Sequence, residues 1–334
     1  MTPSELQRFR PPWVPVLGGA LIAAGVLALY AGALRIPLSE VFAILAGAPA
    51  LPTHEAVILK IRLPRVFLAG LVGACLGVSG ATFQGVLRNP LADPYLLGVS
   101  GGAALGAVLA ITLGLQSPLA LPAAAFLGAL AALAAVYVAA KAHQSSTHTM
   151  VLAGVMVGSF ATALLLFLLW TAPADASRTA VFWLTGDLAS ADTSWLPWAG
   201  LWCAAAFWLL WRRAAPLDLF TQGEATAADL GLDVGRARLV LFAGAGALTA
   251  CAVALAGLVG FVGLVVPHVV RMVWGPAHRR LLPASALLGA AFLVAADALA
   301  RSVLSPAEVP VGVVTALAGA PFFLYLLRRR DTGA

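Results

Sequence analysis

Long stretches of this chain run close to 20 residues with hardly a charge, and that spacing dictates the fold more than any motif. The first, residues 13–34, already matches the roughly 20 residues a helix needs to cross a bilayer core of about 30 Å. Comparable runs recur to the C-terminus, including 120–140 and 152–170. With 61% apolar and 10% charged residues, most of the surface faces lipid. In hydrocarbon every backbone N–H and C=O must be paired internally, which leaves helices or a closed barrel. Barrel strands would alternate apolar and polar residues over about 10 positions. These runs are continuous and longer, so the fold class is all-α: a polytopic transmembrane helical bundle.

Breaks at proline, glycine and charged clusters predict about ten spans, near 13–34, 64–86, 95–114, 118–141, 148–170, 194–212, 236–256, 259–274, 282–303 and 310–327. The first run exceeds the 7–15-residue core of a signal peptide and is read as a retained span. The seventh and eighth are the least sharply divided, because only glycines punctuate 243–270, and 259–274 is short for a full crossing. An even count puts both termini on one side. With that side cytoplasmic, 14 of the 20 basic residues lie inside, leaving Arg35, Lys60, Arg62, Arg65, Arg178 and Arg301 outside. The positive-inside rule supports this orientation. The net charge of +6 then reflects cytoplasmic loops, not a nucleic-acid partner. The whole of 1–334 reads as a single transmembrane domain.

Several function classes lose support, with an ion-coupled secondary transporter left as the lesser alternative. A phosphate-cradling loop needs Gly-Lys-Ser/Thr, and the two lysines, Lys60 and Lys141, follow Leu59 and Ala140. His268 has no second metal ligand within a turn. Cys75, Cys203 and Cys251 lie inside apolar runs without metal-ligand spacing and read as small core residues. An ion-coupled secondary transporter would bury carboxylates or histidines near mid-membrane. Here Asp297 is the one acid well inside an expected span, and Arg301, four residues on, offers it a partner.

Three polar landmarks are too specific for generic membrane sequence. The first is Arg62-Leu63-Pro64-Arg65, followed by a helix, Gln84-Gly85-Val86-Leu87-Arg88-Asn89-Pro90-Leu91-Ala92-Asp93-Pro94 and Leu97-Gly98-Val99-Ser100-Gly101-Gly102. The second runs from Gly257 to Val266, then Pro267-His268-Val269-Val270-Arg271 and His278-Arg279-Arg280. The third is Asp297 to Arg301, Glu308-Val309-Pro310-Val311-Gly312 and Gly319-Ala320-Pro321-Phe322. In order and spacing, from about residue 60 to 327, these resemble the permease family of binding-protein-dependent ABC importers for iron–siderophore, haem and cobalamin.

The resemblance implies a type II ABC importer permease fold in the bacterial inner membrane. It implies a homodimer, two cytoplasmic ABC ATPase subunits that use ATP and Mg, and a periplasmic substrate-binding protein. This chain itself is expected to bind no cofactor and catalyse no covalent step. Arg62, Arg65 and Arg301, at the outer mouth, correspond to arginines that receive acidic residues of the binding protein; interfacial snorkelling, or pairing with Glu55, Asp297 or Glu308, is the other reading. The polar segment 221–238, with Glu224, Ala227, Ala228, Leu230 and Gly231, resembles the coupling loop seated in the ATPase, and its alanines and leucines suggest short helices broken by glycine. Arg271, His278 and Arg279 neighbour it. Asn89, Pro90 and Leu91, with Ser145, Ser146 and Thr147, correspond to an inner gate, or else are simply tight turns; Pro90 and Pro94 forbid a continuous helix there. Arg178, Trp183 and Gly186 match a short outer helix bordering the translocation pathway, though Trp and Arg are also ordinary interface residues. Iron chelates are the expected cargo and cobalamin the alternative.

Overall fold

The computed structural model describes residues 12–115, 117–141, 147–189 and 193–331. Among these residues the secondary structure is entirely helical, and each of the ten expected spans is met by a helix. Helix α1 (Trp13–Tyr30) is followed by two short outer helices, α2 (Leu38–Leu45) and α3 (Pro52–Ala56). A π-helical turn, Val57–Arg62, joins α3 to α4 (Leu63–Val86). A 3-10 turn (Pro94–Leu97) leads into α5 (Val99–Thr112), then α6 (Ala120–Lys141) and α7 (Thr147–Thr171). The short α8 (Ala174–Leu184) precedes α9 (Leu196–Arg212), α10 (Ala214–Gln222) and α11 (Glu224–Asp229). The chain ends with α12 (Val234–Ala256), α13 (Val262–Trp274), α14 (His278–Ala300) and α15 (Val311–Asp331).

Six of these helices are long and apolar enough to cross a bilayer by length and composition. The second span begins earlier than the sequence suggests: the helix runs unbroken from Pro52. Pro64 has no N–H to return to the preceding turn, and the widened π turn just before it accommodates that loss.

Helix α4 is the hub, packing on α12, α13 and α14, while α5, α6 and α7 form a second group beside it. Lipid tails are as apolar as leucine, so helices in a membrane are held by close packing and interhelical hydrogen bonds. Glycine makes that approach possible where α4 crosses α14. A Cβ on Gly73 would fall 2.2 Å from the Gly289 carbonyl oxygen, and one on Gly289 would fall 2.2 Å from that of Gly73. Deeper along α4 the Ser79 hydroxyl meets that of Thr249 on α12 at 2.5 Å, a buried polar contact between two apolar helices.

Candidate functional site

At the outer end, Arg62, Arg65 and Arg301 come together, as their positions implied, but all three are buried (4, 7 and 5% exposed) and held within the chain. The last carbonyls of a helix have no intrahelical partner and carry the negative end of its dipole. Two guanidiniums close that end of α1. Arg62 donates to the carbonyls of Leu29 (2.6 Å), Tyr30 (3.2 Å) and Leu34 (2.5 Å), and Arg301 donates to those of Ala28 (3.0 Å) and Ala31 (3.4 Å). Gly32, at φ +145°, leaves the space: a Cβ there would sit 2.8 Å from Arg62 Nη2. Arg65 donates from Nε and Nη2 to Asp297 Oδ1 (3.0 and 2.8 Å) and from Nη1 to Glu308 Oε2 (2.8 Å). Arg301 Nε lies 3.1 Å from Asp297 Oδ2, so that carboxylate, 1% exposed, is shared by two arginines. The Glu308 side chain, 43% exposed, is the member that reaches the surface.

At membrane depth the helical path breaks. Helix α13 has 13 residues and rises about 20 Å, short of the roughly 30 Å hydrocarbon core, so it does not cross by itself. Residues 257–261 join it to α12, with Gly257 at φ +66° and Phe261 at φ +67°. Irregular backbone at this depth survives only when protein covers it and its polar groups are paired. The Tyr95 hydroxyl does both for Val259, donating to its carbonyl and accepting from its N–H, each at 3.0 Å. The end of α8 closes over the other side. Asp187 N–H donates to the Ala256 carbonyl (2.9 Å), and Gly186, at φ +78°, lies so close that a Cβ would fall 2.5 Å from the Leu258 oxygen. Helix α15 completes the enclosure through Gly312 and Gly319, which pack on Leu258 and Phe261.

The cytoplasmic end is built from α10, α11 and the ends of α4, α12, α13 and α14. The segment after α9 folds as two short helices broken at Gly223 (φ +118°) and closed at Gly231 (φ +83°). Glu224 is ion-paired to Arg238 of α12, whose guanidinium also lies over the Phe220 ring. Ala227 packs inward, while Ala228, Leu230 and Gly231 are exposed, Leu230 at 63%. Asp218 of α10 caps α14, accepting from the His278 backbone N–H (3.0 Å) and meeting His278 Nδ1 (2.7 Å) through the same oxygen. Burial raises the Asp218 carboxyl, but the hydrogen bonds and charge of His278 outweigh it and hold it below the usual carboxylate range. The buried imidazole fits because α4 has Gly85 there: a Cβ would lie 2.8 Å from His278 Nε2. Arg279 stacks on Trp211 (4.4 Å to the ring centre), and Arg271 donates to Gln84 Oε1 (3.0 Å).

Between α4 and the 3-10 turn, Asn89 Oδ1 accepts from Leu91 N–H (2.9 Å) and the Asn89 carbonyl accepts from Ala92 N–H (3.0 Å), a tight turn around Pro90. Asp93 then caps the 3-10 turn by accepting from Tyr95 N–H (2.8 Å). Burial pushes the Asp93 carboxyl up to about 6, against that hydrogen bond, which lowers it.

Comparison with known proteins decides the family. The FecCD transport family model matches residues 20–329. The chain belongs to the FecCD transport family. This permease is 44% identical to the cobalamin import system permease BtuC of Halobacterium salinarum, over 96% of this chain and 83% of that one. It is 40% identical to the Fe(3+) dicitrate permease FecD of Escherichia coli K12, over 93 and 96%. Among solved structures, a metal-chelate type ABC transporter in an inward-facing conformation superposes with a TM-score of 0.83 at 31% identity, covering 95% of this chain and 99% of that one. The FecCD permease is therefore an ABC importer subunit with the type II fold, a multi-pass protein of the inner membrane.

Within that frame the sequence-derived residues fall into three groups. The outer arginines cluster: Arg65 pairs with Asp297 and Glu308, Arg301 with Asp297, and Arg62 bonds backbone carbonyls at the end of α1. Trp183 and Gly186 sit against the helix break, whereas Arg178, exposed on α8, stacks over Phe182 (5.9 Å). Glu224, Ala227, Ala228, Leu230, Gly231, Arg271, His278 and Arg279 all belong to the cytoplasmic end. Ser145 and Ser146 lie outside the described residues, as does the Thr147 side chain. Sequence reasoning missed Tyr95 and Asp218, whose roles rest on contacts 164 and 60 residues away.

Proposed function

We propose that this FecCD permease carries a bulky iron chelate, a ferric siderophore or haem, from a periplasmic binding protein into the cytoplasm. It works as a homodimer driven by two cytoplasmic ATPase subunits. The observation that carries the reading is the cytoplasmic end: a pair of short helices with an exposed Ala228–Leu230–Gly231 surface, fastened to the bundle by Glu224–Arg238 and Asp218–His278. An ATPase that grips this surface would pull on α12 and α14 together, and alternating access follows from such a two-point linkage. These 334 residues hold no nucleotide-binding loop, and in this reading the ATPase subunits supply the motor.

At the outer face, docking of the binding protein proceeds by carboxylate exchange. Glu308, half in solvent, occupies one edge of the Arg65 guanidinium, and an acidic residue of the binding protein takes that edge while Asp297 keeps the other. Arg62 and Arg301 act behind it, fixing α1 to the rim. The inner gate is the Asn89–Pro90–Leu91 corner with the start of α7, and Trp183 and Gly186 border the path at the helix break. Asp297, shared by two arginines, is poorly placed to load a coupling proton.

Cobalamin is the second reading, favoured by the 44% identity to a cobalamin permease. ATP-dependent uptake in vesicles bearing the permease, its ATPase and its binding protein separates them. Accumulation of ferric siderophore or haemin supports the first reading. Accumulation of cobalamin alone replaces it with the second.

A further inference from the structure

The three cysteines converge although they are distant in sequence. Cys75 of α4, Cys203 of α9 and Cys251 of α12 are all free and all buried. Cys203 Sγ lies 3.5 Å from Cys251 Sγ, and Cys75 and Cys203 line the same cavity. Beside them is an apolar cavity of about 210 Å³, lined by Leu71, Ala74, Cys75, Val78, Cys203 and Phe207 among others. Among the described residues no group of three His, Cys, Asp or Glu side chains is disposed to hold a metal ion, so the cluster offers two convergent sulfurs and an oily pocket, not a cation cage.

We propose that Cys203 and Cys251 form an intramembrane dithiol site for trivalent organoarsenicals, with the organic group housed in the adjoining cavity. The arsenic–oxygen double bond of an arsenoxide and both S–H bonds break. Two arsenic–sulfur bonds form, and the oxygen leaves with the two thiol protons as water. Arsenic stays trivalent, and no oxidant is needed. Each thiol proton passes to the arsenic-bound oxygen as sulfur attacks, so no thiolate has to persist in a medium that disfavours charge. Ordinary alkylating reagents do need that thiolate, which is why the site selects a neutral, lipid-soluble, bis-thiol-binding reagent. Both sulfurs sit on packed helices and are already close, so the second bond closes intramolecularly. Since α9 leads through Arg213 into α10, the bridge also ties the stem of the cytoplasmic helices to α12.

The test treats the full-length permease in lipid nanodiscs with phenylarsine oxide and reads its intact mass. One phenylarsenic unit per chain is expected, removed by 2,3-dimercaptopropanol and retained in glutathione. Cys203→Ala and Cys251→Ala abolish the adduct, and Cys75→Ala keeps it. A measurement on the unsubstituted chain guards against misfolded variants: after denaturation, maleimide labels all three cysteines of untreated protein but only Cys75 after arsenical treatment. Absence of the adduct, its survival in Cys251→Ala, or labelling of all three cysteines after treatment overturns the proposal.

Discussion

Replacing Tyr95 with phenylalanine removes one oxygen and keeps the ring, which isolates what that hydroxyl does for the helix break. It is the side-chain partner of both backbone groups of Val259, at 3.0 Å each, in a stretch of chain with no helical partners of its own. Val259 is buried, 1% exposed, so its N–H and C=O have no route to water. Leaving a buried polar group unsatisfied costs about 1–3 kcal/mol. Two orphaned groups therefore put Tyr95→Phe at roughly 2–5 kcal/mol, given that the backbone relaxes to recover part of the loss. Guanidinium- or heat-induced unfolding of the detergent-solubilised variant measures this directly, and proteolysis within 257–261 reports whether the break has loosened. A change below about 0.5 kcal/mol, the ordinary effect of a neutral surface substitution, would refute the claim that this hydroxyl holds the discontinuous helix together.

Asp297→Ala should destabilise the permease by about 3 kcal/mol, because two buried guanidiniums lose their shared carboxylate and keep only Glu308 and the carbonyls of α1, whereas Glu308→Gln, on a half-exposed partner, should change stability by less than about 1 kcal/mol; paired unfolding curves check both. On the docking account, Glu308→Gln also leaves binding-protein affinity equal or higher while Arg65→Ala lowers it, measured by association of the binding protein with nanodisc-embedded transporter. Gly73→Val drives a side chain into the Gly289 carbonyl and should cost several kcal/mol by forcing α4 from α14, read as lost folded yield in detergent. Asp93, at about 6 when folded, lies above the roughly 3.9 of an unfolded aspartate. The folded state therefore holds the extra proton, and the stability this contributes is complete below about pH 4 and lost as pH rises through 6. Thermal unfolding of Asp93→Asn should lack that slope.

The spans were legible because lipid imposes one rule on every crossing segment, and residues such as those of 120–140 obey it without exception. Even the shortness of α13 could be read from 259–274, whereas its start at Val262 could not, because glycines alone punctuate 243–270. The short helix α11, closed at Gly231, followed from the alanines and leucines between charges in 221–238, whereas α10 lies almost wholly before that segment and was not foreseen. What local pattern does not encode is which distant groups meet. Arg62 and Arg301 read as rim charges, yet each is spent on carbonyls of α1, and nothing in the apolar run 13–34 announces that its last carbonyls need a guanidinium. The cysteines gave no signal because metal-like spacing is a property of one segment, and theirs is a meeting of three helices. The early start of the second helix was hidden by Pro64, normally a boundary, which a π turn absorbed.

Energy coupling tests the central claim most directly. Vesicles containing the permease with its ATPase and binding protein should accumulate chelate when ATP is supplied, and stop when the ATPase is made catalytically inactive, whatever the proton gradient. Accumulation that persists with the inactive ATPase and follows an imposed proton gradient would contradict the account.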